Sequence, residues 1–185
     1  MLIIGIIVIV LISLIVTYNG LINKRNQVDN VFGSMDAMLK KRYDLIPNLI
    51  AAVQEYMKHE KGTLMQLTEL RTKAMSSDIS NNEKIDINNQ LNKILGGIKV
   101  SVENYPDLKA NQNFIQLQGS LNEVEEQISA ARRAFNSVVT DYNNAVQMFP
   151  SNIIAGMMGF KTKQLFVIDE FERKNVDVKG LFNNN

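Results

Sequence analysis

The one histidine in the chain, His59, precedes Glu60, and the pair opens like His-Glu-x-x-His, where two imidazoles one helical turn apart hold zinc and the glutamate acts as base. The second imidazole position is Thr63, and no cysteine or other histidine exists to complete a ligand set. A di-iron bundle would need a Glu three residues before its histidine, and that residue is Tyr56. His59 therefore reads as a solvated or packing side chain, with a pH-sensitive contact as its one functional option. Phosphate chemistry lacks its loop: Gly96-Gly97 is not followed by Gly-Lys-Ser/Thr, and Gly156 and Gly159 lie in an apolar run. The carboxylates Glu125-Glu126 fall on a solvated helix face, away from the cleft that glycoside hydrolysis would demand. We expect no catalysis, no cofactor and no metal; the alternative is an enzyme or accessory subunit with a cleft using Arg42, Asp44 or Glu60.

The 185 residues, 45% hydrophobic and 21% charged, suit one domain of ordinary size. Twenty Lys and Arg against 19 Asp and Glu leave a net charge of +1, so no global field attracts nucleic acid. The absence of cysteine excludes a disulfide framework and a thiolate nucleophile. The mean hydropathy of −0.08 averages two regimes that the sequence keeps apart.

The first regime runs from Met1 to Val16, with no charge and only Gly5 and Ser13 between large aliphatics. At ~1.5 Å per residue this run spans ~24 Å, and Tyr18, Leu21 and Ile22 extend it toward the ~30 Å of a hydrocarbon core. A cleaved signal peptide would need a basic leader and a small-x-small cleavage site, and a buried core helix would need a polar face; neither pattern is present. Residues 1–22 are thus expected to be an uncleaved single-pass anchor in the lipid bilayer. Lys24, Arg25, Lys40, Lys41 and Arg42 all follow the span, which places the N-terminus outside and the body in the cytoplasm. A body outside the cell on the same anchor is the competing topology.

The second regime is helical. Phe114, Leu117, Leu121, Val124, Ile128, Ala131, Phe135, Val138, Tyr142, Ala145 and Phe149 alternate steps of three and four, a heptad that implies a left-handed coiled-coil geometry and a helix over ~50 Å long. The same spacing joins Val28, Phe32, Met35, Leu39, Arg42, Ile46, Leu49, Val53, Tyr56, Glu60, Leu67, Leu70 and Ala74. Arg42 and Glu60 thus occupy seam slots; each must snorkel, find a partner or mark where the helix leaves the bundle, and a partly exposed slot is expected. Pro47 lacks a donor and clashes with the carbonyl of Tyr43, so a sharp kink near Tyr43-Asp44, rather than a full hairpin turn, is expected there.

Ser76 to Glu83 has the composition of a loop. A helix from about Ile85 to Val102 should follow, with Leu91, Ile94, Leu95 and Ile98 inward and Gly96-Gly97 at a close approach. Tyr105-Pro106 ends it, Asp107 is placed to cap the long helix, and Pro150 closes that helix. A short apolar patch (Ile153, Ile154, Met157, Met158), an extended Gln164–Ile168 and a frayed polar end at 183–185 complete the chain. The fold class is all-α: an N-terminal transmembrane helix continuing into an elongated left-handed antiparallel four-helix bundle with a short extended tail. The divisions are 1–22 anchor, 23–160 bundle and 161–185 tail.

Arg42-Tyr43-Asp44-Leu45-Ile46-Pro47-Asn48-Leu49 after a single N-terminal span resembles the signature of the LemA family. So does Tyr105-Pro106-Asp107-Leu108-Lys109-Ala110-Asn111, followed by Phe114 and Leu117-Gln118. The likeness continues through Ile128, Ala131-Arg132-Arg133, Asn136, Tyr142-Asn143, Phe149-Pro150 and Ile153-Ile154-Ala155 to near Phe166. Phe135 departs from it, standing where the family usually has Tyr, so any hydroxyl contact made there in relatives would be missing here. The resemblance implies a bacterial cytoplasmic- or inner-membrane protein with a helical-bundle body and no established catalytic activity.

Arg42, Tyr43, Asp44 and Pro47, with Tyr105, Pro106 and Asp107 packed nearby, could form a hydrogen-bonded structural corner or a docking surface; Arg132, Asn136 and Asn143 complete the motif set. The function expected is that of a structural scaffold or adaptor, with partner proteins or further copies of itself bound through helical surfaces.

Overall fold

A computed structural model describes residues 1–167, and among them all regular structure is helical. Helix α1 (Leu2–Val53) is 52 residues long, about 78 Å at 1.5 Å per residue, and it runs from the uncharged N-terminus into the body without a linker. Every side chain from Met1 to Val16 is exposed. From Val28 onward the helix buries Val28, Phe32, Met35, Leu39, Arg42, Ile46, Leu49 and Val53, the seam that the heptad spacing predicts.

Chain reversal occurs after Val53, through a turn and a 3-10 segment at Lys58–Glu60 that takes Tyr56 and Glu60 out of the α1 seam. Helix α1 continues through Tyr43-Asp44 and Pro47, so the chain makes no hairpin turn there, as expected. The physical reason lies on the next helix, α2 (Lys61–Ala74). Proline at 47 leaves the Tyr43 carbonyl without its intrahelical donor, and Arg71 Nε of α2 donates to that carbonyl at 2.9 Å.

Helix α3 (Asn81–Ser101) starts four residues before the expected Ile85. Ser80 and Glu83 form a reciprocal capping box, with the Ser80 hydroxyl accepting from Glu83 N and the Glu83 carboxylate accepting from Ser80 N at 2.9 Å. The Ser80 backbone N–H and the Ser80 hydroxyl, both donating to the exposed Glu83 carboxylate, hold it below its ordinary pKa. Gly96 and Gly97 make no close approach; a β-carbon at either would meet open space, because Gly96 borders a cleft.

After a 3-10 turn (Val102–Asn104), the one-turn helix α4 (Pro106–Lys109) leads to α5 (Gln112–Gln147), 36 residues and about 54 Å long. Asp107 lies in the first turn of α4 and does not cap α5. Asn111 does so, its side-chain oxygen accepting from Asn113 N at 2.9 Å and Phe114 N at 3.2 Å. Helix α5 ends at Gln147, so Phe149 lies beyond it, 79% exposed, and is no seam residue. A turn with a cis Phe149-Pro150 bond leads to α6 (Ser151–Met157). Gly159 then takes φ of +72°, letting Phe160 N bond back to the Ala155 carbonyl and the chain leave along α5.

Specific pairs fix helix directions. Phe32 meets Phe135 edge to face at 5.5 Å, and ten residues up α1 Arg42 meets Glu125, ten residues down α5, so these helices are antiparallel. Asp36 binds Lys84 at 2.7 Å while Arg42 binds Asn88, so α3 runs parallel to α1. Helix α2 doubles back on α1. The body is an up-down-up-down bundle of α1, α2, α3 and α5.

Its main core joins Leu39, Ile46, Leu49, Leu67, Leu91, Phe114 and Ile128. A second cluster joins Val28, Phe32, Met35, Ile85, Phe135, Val139, Tyr142 and Phe166, and a third joins Leu21, Ile154 and Ala155. Residues 161–167 have no regular structure and lie along α5; Ile168 and the polar end at 183–185 lie outside the described residues.

Candidate functional site

The most buried charge in the body is Arg42, 1% exposed in the α1 seam. The partly exposed slot expected there is thus a closed one, and the guanidinium has found partners. Its Nη1 donates to Asn88 Oδ1 at 2.8 Å and to Asn92 Oδ1, both on α3, and its Nη2 pairs with the Glu125 carboxylate on α5. One planar cation thereby ties three helices together, with side-chain oxygens satisfying a charge that would otherwise be costly to bury. Over this group opens a cleft of about 640 Å³ between α1, α3 and α5, bordered by Asn92, Gly96, Gln118, Asn122, Glu125 and Arg132.

Tyr43, beside Arg42, is buried, and its hydroxyl has no hydrogen-bond partner among the described residues. Burial pushes its pKa up to about 12, against the lowering influence of the Arg42 cation, with Asp36 adding a smaller push upward. Asp44 and Pro47, in contrast, face solvent, and Asp44 pairs with Lys40 at 2.9 Å. Glu60 lies in the distal turn, where Thr63 donates to it at 3.4 Å. The cleft therefore contains Arg42 without Asp44 or Glu60, and the three do not assemble into one constellation.

Tyr105, Pro106 and Asp107 form the corner between α3 and α5. Tyr105 packs on the main core, Leu108 is buried behind it, and Lys109 pairs with Glu103 at 2.6 Å, while Pro106 and Asp107 are exposed. The Arg42-Tyr43-Asp44 motif is mid-helix, and its polar partners come from α2, α3 and α5 rather than from this corner.

The asparagines of α5 build a second arrangement. Asn143 donates to the Lys163 carbonyl at 2.9 Å and accepts from Lys163 N at 2.8 Å; Asn136 donates to the Phe166 carbonyl at 2.9 Å and accepts from Phe166 N at 2.8 Å. Each amide reads one residue of extended chain as a neighbouring β-strand would. The spacing explains why two fit: seven helical residues rise ~10.5 Å and three extended residues cover ~10 Å.

Between them Tyr142 donates its hydroxyl to the Lys161 carbonyl at 2.9 Å; burial raises its pKa, Arg25 opposes that rise and Asp29 adds to it. Phe166 is buried under Arg132, which sits 5.8 Å from its ring centroid, and Lys163 pairs with Asp29 of α1. Val139 is buried where the heptad placed Val138, because it faces this added strand as well as α1.

Polar groups that the sequence reading missed are Asn88, Asn92, Glu125 and Arg71. A seam arginine demands acceptors, and an Asn pair one turn apart on a neighbouring helix was the available signal. For Arg71 only the orphaned carbonyl at Tyr43 could have pointed to it.

The fold and these two arrangements define a class: an antiparallel four-helix bundle whose first helix projects as a long apolar rod, stitched by one buried arginine and by an asparagine clamp on an extended segment. The LemA family model matches residues 31–179, and the chain belongs to that family. It is 27% identical to protein LemA of Metamycoplasma hominis over 165 residues, 89% of this chain and 75% of that protein. It is 20% identical to magnetosome protein MamQ 2 of Paramagnetospirillum magneticum over 179 residues, 83% of this chain and 66% of the relative. A magnetosome protein MamQ of Magnetospirillum gryphiswaldense is 31% identical over 72 residues, 39% of this chain and 26% of the relative.

Proposed function

We propose that the protein is a single-pass membrane protein, anchored in a bacterial cell membrane through residues 1–22, whose bundle acts as a structural or adaptor module that binds proteins without catalysing a reaction. One observation carries the reading: residues 2–16 of α1 carry no charged side chain, are all exposed and belong to the same helix that builds the core. Exposed aliphatic side chains cost roughly 1.5–3 kcal/mol each in water, and a hydrocarbon layer removes that cost. Lys24 and Arg25, just past the span, favour a cytoplasmic body. An anchor that continues into the core without a linker holds the body at a set orientation to the bilayer, which suits a scaffold.

Among the motif residues, buried Arg42 and Tyr43 and the half-buried Asn136 and Asn143 serve the bundle. Asp44, Pro47, Pro106 and Asp107 present themselves to solvent and are assigned to the docking side, for a partner protein or a second copy.

The test is extraction and protease access in cells. The full chain should stay with membranes through alkaline carbonate, and removing residues 1–18 should release the body. Cleavage of the body by protease added to intact cells would overturn the cytoplasmic orientation.

A further inference from the structure

Outside the first helix, the exposed large apolar side chains of the described residues concentrate in the turn after α5 and in α6. Phe149 is 79% exposed, Met157 77%, Met148 62%, Met158 60% and Ile153 53%. No charged residue occurs between Asp141 and Lys161. The opposite face of α6, Ile154 and Ala155, is packed on Leu21 of α1. Further toward the N-terminus, Ile154, Met157 and Met158 line an apolar groove together with Leu14, Ile15 and Tyr18. The exposed face of α6 therefore sits beside the last turns of the proposed span, and the groove between the two is lined by apolar side chains from both.

We propose that Met148–Met158 forms a second membrane contact, an interfacial collar whose apolar face enters the headgroup and acyl boundary beside the emerging helix. The inference rests on the anchor reading and deepens it by naming lipid as the occupant of this face. Depth supports it: Tyr18 and Leu14, which line the groove, lie four and eight residues before the end of the proposed span at Ile22, or ~6 and ~12 Å along the helix, a range that overlaps the ~5–10 Å to which interfacial helices sink. The flanking charges agree. Lys24, Arg25 and Lys161 lie on the body side of the patch, Arg25 rests 5.7 Å from the centroid of the Phe160 ring, and Phe160 in turn meets Tyr18 edge to face at 6.0 Å. Cations and aromatic rings at that level suit the headgroup layer. With two contacts, the collar fixes both the height and the tilt of the bundle over the membrane.

The chain has no tryptophan, so single Trp probes report without background. The full-length protein would be reconstituted in phosphatidylcholine–phosphatidylglycerol vesicles with and without brominated acyl chains. Phe149→Trp and, as a second probe, Met157→Trp should emit blue-shifted light and be quenched about twofold or more by brominated lipid. Ile115→Trp, exposed at the far end of α5, should stay unquenched, while Ile9→Trp in the span should be quenched.

If Ile9→Trp is quenched but both collar probes match Ile115→Trp, the collar is overturned and the anchor stands. If Ile9→Trp is also unquenched, the anchor fails and takes the collar with it. Collar probes that are blue-shifted but unquenched, and that lose the shift as protein is diluted in excess lipid, would assign the patch to a second copy and also overturn the proposal.

Discussion

The distal and proximal halves of the α1–α5 pair bury their polar groups in opposite ways. In the distal half four helices surround the seam, their backbones are paired within each helix apart from the Tyr43 carbonyl that Arg71 caps, and the polar insert is a charge held by side chains: Arg42 on Asn88, Asn92 and Glu125. In the proximal half α2 and most of α3 are gone, and the cover is an extended strand whose amides have no helix to satisfy them. There the inserts are neutral amides, Asn136 and Asn143, each taking one donor and one acceptor of the strand. The form of the covering chain thus decides which polar side chain the seam needs: a fork of donors between helices, or a donor-acceptor pair against bare backbone.

The strongest way to break this contrast is to remove its charge. Arg42→Ala leaves Glu125, Asn88 and Asn92 without their shared donor and opens a cavity, and should cost about 3–5 kcal/mol in urea unfolding of the full chain in detergent. Glu125 is partly exposed and can rehydrate, which keeps the figure near the lower end. A loss under about 1 kcal/mol would show a pair no stronger than a surface one, and would erase the difference between the halves.

On the proximal side, Asn136→Leu or Asn143→Leu strands one N–H and one C=O of the extended segment, at about 1–3 kcal/mol each. The effect should be local. Hydrogen exchange at the amides of Lys163 and Phe166 should accelerate while amides of α2 and α3 stay protected. Uniform acceleration across the chain would mean that the clamp is part of the common core rather than a separate device.

A third substitution asks whether backbone repair also operates in the distal half. Arg71→Met should cost about 1 kcal/mol by leaving the Tyr43 carbonyl without its donor. In a Pro47→Ala background residue 47 regains an N–H for that carbonyl, so the same change should cost measurably less. Additive effects in this cycle would sever Arg71 from the continuity of α1.

The legible parts of the molecule were those that period and charge control. The α1 seam from Val28 to Val53 and the extent of α5 follow from steps of three and four, because burial against helices repeats at that spacing. How α1 stays continuous past Pro47 was not legible, because the carbonyl that the proline orphans is satisfied by a residue twenty-four positions later, and no local pattern encodes that contact. Asn136 and Asn143 stood out through the family motif, while their task depended on a strand that returns from beyond a turn and a further helix. The capping box at Ser80 and the Asn111 cap were written in short motifs, one masked by a polar loop composition and the other by the earlier Asp107.

The smallest expected effect concerns Tyr43, the one polar group in the Arg42 neighbourhood that gains nothing from being polar. Its hydroxyl is buried without a hydrogen bond, so Tyr43→Phe should leave stability at neutral pH unchanged or raise it by up to about 1 kcal/mol. The pH dependence sharpens the test. Burial lifts the phenol from its ordinary 10 to about 12, so between those values the unfolded chain has released the proton and the folded chain still holds it. Stability from this group is fully present below pH 10 and declines as pH rises from about 10 to about 12. Tyr43→Phe should remove part of the alkaline loss in that window, measured as the difference in urea midpoints between the two proteins at matched pH. If the two curves stay parallel through it, the phenol is not held neutral, and the distal seam is wetter at Tyr43 than its packing implies.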